Sequence, residues 1–155
     1  MPERARQRAR VYAWEEHFIA PRDQTSIAFA QAQAMVDAIW ADMRLRFPPK
    51  IERLPRQARC TVADATRLSI RLPQSIPSWL LLHELAHALS STHEGRSDAH
   101  GPVFMGLYAQ MLVRYLRVPV DVLAQSLAAA SIEADLMAKP IFTDEHVTDA
   151  PRLAM

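Results

Sequence analysis

The pentapeptide His83-Glu84-Leu85-Ala86-His87 constrains this chain more than any other stretch, because it sets three ionisable side chains inside an apolar run. Trp79-Leu80-Leu81-Leu82 precede it and Ala88-Leu89 follow it. Burying such groups costs free energy unless they pair with one another or ligate a metal. On a helix, residues four apart lie on one face. His83 and His87 can therefore hold one ion from adjacent turns, and Glu84 can reach a water on that ion. Two ligands and a general base on one helix is the layout of a zinc hydrolase. A structural helix with two histidines at its polar edge is the bland alternative.

The 155 residues suffice for one domain with a real core, and a hydrophobic share of 50% argues for a globular chain. A net charge of +1 gives no global pull toward nucleic acid or membrane. The charge is uneven: Arg4, Arg6, Arg8 and Arg10 form a basic N-terminal strip, read as a solvated helix face or a weak phosphate-contacting arm. Cys60 is the only cysteine, which rules out an intramolecular disulfide or a thiolate zinc cluster and fits a reducing cytosol. With no secretion signal and no apolar run of membrane length, a cytoplasmic protein is expected.

Along the chain, charged residues 3–18 interleave with Val11, Tyr12, Trp14 and Phe18, as in a short amphipathic helix or an aromatic-packed arm. Asp23 or Thr25 is expected to cap a second helix running to Phe47, stopped by Pro48-Pro49. Residues 59–63 and 68–72 read as two antiparallel strands, with Asp64-Ala65-Thr66 as the turn between them. The motif helix spans about 78–91, with Ser75 or Ser78 as its cap. A polar loop 92–99 follows, then a helix from Pro102 through Leu116, and after Pro119 a final helix over about 120–138. These give a single domain over 1–155: an N-terminal helical region 1–47, a catalytic core 59–118, a C-terminal helix 119–139 and a tail 140–155. The tail is read as a frayed end or an arm folded across the cleft.

A catalytic zinc takes three protein ligands and a water. Two histidines compete for the third place. His100 lies thirteen residues beyond His87 and opens a helix after a loop able to fold back. His93 lies six beyond His87, which is metzincin spacing, but Ser90 stands where that geometry needs a glycine. Met105, on an expected helix, offers no Met-turn. A carboxylate from Asp98, Glu94 or Glu133 is a third option, and His100 is preferred.

H-E-L-A-H followed by H-G-P-x-F resembles the SprT-like zinc metallopeptidases, in which the third histidine opens an H-G-x-x-F segment after a variable loop. His83, Glu84, His87 and His100 match residue by residue, with Gly101, Pro102 and Phe104 in support. The chain is also similar to short metallohydrolases that begin with an Arg/Gln-rich stretch and a V-Y-x-x-E segment, as in Val11-Tyr12-Ala13-Trp14-Glu15, and carry an I-x-L-P strand, as in Ile70-Arg71-Leu72-Pro73. The resemblance covers about residues 6–118 and is strongest over 68–108. It implies an α+β minimal zincin: a small antiparallel sheet packed on the H-E-x-x-H helix, with further helices around it. The four-cysteine ribbon of larger SprT-like proteins is absent from this sequence.

The resemblance and the motif together imply one Zn²⁺ per chain on His83, His87 and His100, with Glu84 as general base for peptide-bond hydrolysis. A peptide or protein substrate would lie along strand 68–72, read as an edge strand. Tyr108 or Tyr12 is a candidate for oxyanion assistance. Two other classes stay open: a metal-stabilised binding module without catalysis, and a nucleic-acid-associated protease using the N-terminal arginines. The N-terminal helices are expected to cover the core or the cleft, as a lid or a dimer contact.

Overall fold

A computed structural model of the chain describes residues 3–55 and 63–142. The expected strand over 59–63 falls outside these residues except for Ala63, as does the tail beyond Phe142. Helix α1 (Glu3–Trp14) runs directly into a π-helical turn, Glu15–Ile19. Then come β1 (Ser26–Ala28), α2 (Phe29–Asp42), β2 (Lys50–Arg53), β3 (Asp64–Ala65), β4 (Ser69–Leu72) and β5 (Ser75–Pro77). The chain continues through α3 (Ser78–Leu89), α4 (Pro102–Leu116) and α5 (Val120–Ala129). The fold is α+β, with two small sheets among the described residues. None of the described helices is long and apolar enough to cross a membrane.

Among the described residues the larger sheet is mixed and three-stranded, where an antiparallel pair was expected. Its order is β2–β4–β3, with β2 parallel and β3 antiparallel to β4. β4 is therefore central, and the edge strand next to α3 is β3. Asp64 and Ala65, read from sequence as a turn, are that strand. Asp64 sits opposite Arg71 and accepts from its Nε at 2.7 Å, a cross-strand ion pair that outweighs the turn preference of aspartate. The turn moves on to Thr66, whose amide donates to the Ser69 carbonyl at 2.8 Å. β2, β1 and β5 are short strands that apolar alternation did not reveal.

Helix boundaries differ from expectation for local reasons. α2 ends at Asp42, well before the prolines, because Arg44 adopts a left-handed φ of 61°. α5 stops at Ala129, where Ser131 takes φ 57° and the Ile132 amide donates back to Leu127. That turn drops Ile132 into the core.

The core lies around α3. Leu81, Leu82, Leu85 and Leu89 are fully buried between the sheet residues Ile70 and Leu72 and the α4 residues Phe104, Tyr108 and Leu112. α3 and α4 pack closely, and α4 in turn touches α5. Gly106 marks a tight approach: a Cβ there would come within 1.7 Å of the Asp135 carbonyl oxygen. α1 docks through Gln7, whose amide donates to the Glu133 carbonyl at 3.0 Å, and Trp14, whose Nε1 donates to Ser126 Oγ at 2.9 Å.

Candidate metal centre

α3 starts where the chain holds its first amides from outside. Asp23 does not cap α2; its Oδ2 accepts from the Trp79 amide at 3.1 Å, and the Thr25 carbonyl accepts from the Ser78 amide at 3.1 Å. A carboxylate on the first turn satisfies orphan amides and complements the helix dipole. Neither Ser75 nor Ser78 caps the helix; Pro77 is the N-cap residue and supplies no side-chain bond. β5, paired antiparallel with β1, fixes the entry to the helix. The motif thus sits on a helix secured at its N-terminus and packed on both flanks.

His83, His87 and His100 converge. One ring nitrogen from each lies within 4.8 Å of the others, close enough to hold a single metal ion. His83 is buried, and His87 and His100 are half-buried. Phe104 forms the floor beneath them, its ring 4.3 Å from His87 and 5.0 Å from both His83 and His100. His100 Nε2 is buried with no hydrogen-bond partner. An orphaned imidazole nitrogen aimed at two others is costly as a structural feature and is what a metal ligand needs. The donor set fits the group the motif implies.

His100 reaches the site through the construction of the loop. Ser90 caps the end of α3 with φ −99°, and its hydroxyl donates back to the Ala86 carbonyl at 2.8 Å. It makes no left-handed turn, so the chain does not bend His93 under the helix. His93 and Glu94 are exposed on the loop. Asp98 accepts from the amides of Val103 at 2.7 Å and Phe104 at 3.2 Å, which caps α4 rather than ligating. Glu133 is exposed, away from the cluster. A Cβ on Gly101 would stand 2.7 Å from Asp98 Oδ2, so glycine is required for this fold-back. H-G-P-x-F therefore has a local mechanism: convergent imidazole, space for the cap, first helical turn and floor.

The electrostatics favour neutral His87 and His100 and raise the buried carboxyl of Glu84. Burial, then the charges of His83 and His100, hold His87 well below the ordinary histidine range. Burial, then His83 and Arg8, lower His100 to about 4. Burial also opposes charge on His83, but the hydrogen bond and charge of Glu15 outweigh it and raise that ring. Glu84, only 5% exposed, is raised by burial to about 7, with the His83 charge pulling the other way. A carboxyl in that range can both take and return a proton near neutrality.

Glu15 is the residue at the imidazole cluster that the sequence reading did not single out as a site residue. It is 3% exposed, and its Oε2 accepts from His83 Nδ1 at 2.6 Å and from the Tyr108 hydroxyl at 2.7 Å. Its one sequence signal is its place in the V-Y-x-x-E segment. Tyr108 is fully buried behind His83 and is spent on this bond, so it does not face a substrate. Tyr12 does reach the open side: it is 43% exposed, its ring 5.3 Å from His100 and 6.1 Å from His83. Arg8, from the N-terminal basic strip, lies over the Tyr12 ring at 5.5 Å.

Two clefts flank the histidines. One, of about 530 Å³, is lined by Arg8, Tyr12, Ala63, Trp79, His83 and Glu84 among others. The other, of about 410 Å³, is lined by Ala65, Thr66, Leu68, His87 and His93 among others. β3 runs from the first toward the second. Compared with protein-family models, curated proteins and solved structures, the chain matched none of them.

Proposed function

We propose that this chain is a zinc-dependent hydrolase of the zincin type, related to the SprT-like metallopeptidases, that cleaves peptide bonds with Glu84 as general base. The observation that carries the reading is Glu84 itself. It is a buried carboxyl beside three convergent imidazoles, and it lines a cleft. A purely structural metal site has no use for such a group. Three histidines leave room for a fourth, exchangeable position, the pattern of catalytic rather than structural zinc. When bound, the ion supplies Lewis acidity and makes its water acidic enough to attack a carbonyl at neutral pH.

The residues divide the remaining work. Glu84 takes the proton of the attacking water and returns it to the departing amine. Phe104 holds the imidazoles in place and excludes water from beneath them. β3, with one edge unpaired among the described residues, can accept an extended peptide by strand addition. A peptide antiparallel to β3 would run from the His87 cleft to the Glu84 cleft. Its amine-side product would then leave past Glu84, the group that must protonate it.

The test pairs metal content with cleavage. Wild type should carry about one zinc per chain and cut an unstructured protein substrate. Glu84→Gln should keep the metal and lose cleavage by roughly 10²–10⁴-fold. Undiminished cleavage in Glu84→Gln, or a wild type that binds no metal on reconstitution, would overturn the reading.

A further inference from the structure

We propose that Glu15, on the buried face of the N-terminal helix, is the positioning residue of the metal centre, so that this helix is part of the centre rather than a lid over it. The inference rests on the reading of His83, His87 and His100 as ligands.

A carboxylate offers only acceptors, so the hydrogen between Glu15 and His83 sits on Nδ1. That fixes the tautomer and the ring plane and leaves Nε2 as the free lone pair of His83. Tyr108 in turn fixes Glu15. Its buried hydroxyl donates to Glu15 Oε2 at 2.7 Å, and a carboxylate can only accept, so the hydroxyl is the donor. Tyr108 lies one helical turn beyond Phe104 on α4, and His100 lies two residues before that helix. α4 and the residues leading into it thus supply a ligand, the floor and the anchor of the orienting carboxylate.

Helical spacing explains how Glu15 arrives. Gln7, Val11, Trp14 and Glu15 lie on one face of the N-terminal helix, and all are buried. Glu15 opens the π-turn, whose closing bond runs from the Ala20 amide to the carbonyl of Glu15 at 2.8 Å, five residues apart. Such turns recur at functional sites. A buried carboxylate with two donors on one oxygen is costly to maintain for packing alone.

The experiment measures zinc affinity by chelator competition, and the His83 tautomer by ring-nitrogen NMR, in wild type, Glu15→Gln and Glu15→Ala. Wild type should show hydrogen on Nδ1 and metal on Nε2. Glu15→Ala should bind zinc about 10–100-fold more weakly, with the Nδ1 hydrogen no longer held. Glu15→Gln retains an acceptor oxygen and should fall between the two; it decides the matter alone should Glu15→Ala not fold. A variant that binds zinc as tightly as wild type with its tautomer unchanged overturns the positioning role and leaves the ligand reading intact. A wild type that binds no zinc removes the ligand reading and this inference with it.

Discussion

The α3–α4 pair and the N-terminal segment 3–19 both reach the three imidazoles, but by different means. On α3 and α4 the groups are placed by helical spacing and a capped loop: His83 and His87 one turn apart, His100 two residues before α4. Helical period sets His83 against His87, and the Asp98-capped loop sets His100 against both. The N-terminal segment brings Glu15 to His83 across 68 positions of sequence, through a docking surface on α5 and the residues after it. The imidazole cluster is assembled from one stretch of chain, whereas the carboxylate bonded to it arrives by tertiary packing. Variants of the first region should therefore abolish the centre, and those of the second should loosen it.

The largest effect belongs to the ligand face. His87→Ala and His100→Ala should each reduce bound zinc from about one per chain to near none, while His93→Ala, exposed on the loop, should leave it unchanged. Mass spectrometry of the native protein reads this directly. Retained metal in His100→Ala with loss in His93→Ala would reverse the assignment of the third ligand.

Tyr108→Phe comes next. It keeps the ring against Phe104 and removes one of the two donors to Glu15. The buried carboxylate left with a single donor should cost about 1–3 kcal/mol in folding stability. Zinc affinity should weaken by less than in Glu15→Ala, because His83 still has its acceptor. Denaturant titration beside chelator competition separates the two quantities. An unchanged midpoint would mean that the hydroxyl does not anchor Glu15.

This division also sets what was legible in the sequence. His83, Glu84 and His87 were readable because helical period and an apolar context make their meaning local. His100 was readable as a preference, since Gly101 and Pro102 announce a helix start but not where the loop brings it. The structure adds why it folds back: Asp98 needs the space that Gly101 leaves. The helices were mostly found, but their ends were not, because Arg44 and Ser131 terminate α2 and α5 by left-handed backbone in residues with no turn signature. Strands of two to four residues, such as β3, carry too few positions for alternation to register, and their pairing decides their state. Asp23 was correctly read as a cap but for the wrong helix, since nothing local says which set of orphan amides it will meet.

That remote cap makes the third prediction. Asp23→Ala removes the acceptor for the Trp79 amide and should cost about 1 kcal/mol, the usual value for a lost N-cap. For a domain of this size the midpoint should fall by roughly 2–4 °C. Zinc content should hold, because the ligands sit a full turn or more beyond the cap. Loss of zinc at low temperature in this variant would mean that the start of α3, and not Glu15, controls ligand geometry.

Tyr12→Phe should have the smallest effect, and it sharpens the comparison most. Tyr12 comes from the same helix as Glu15 and approaches the same imidazoles, yet its contacts are made by its ring, and it is 43% exposed. Phenylalanine keeps those ring contacts and the neighbouring Arg8 guanidinium. Stability should stay within about 0.5 kcal/mol of wild type, as for other surface substitutions that break no hydrogen bond. Zinc affinity should be unchanged. A large loss of zinc in Tyr12→Phe would make the hydroxyl a ligand and the N-terminal helix a donor of coordination rather than of orientation. With affinity held in Tyr12→Phe and lost in Glu15→Ala, the helix acts on the centre through the carboxylate alone.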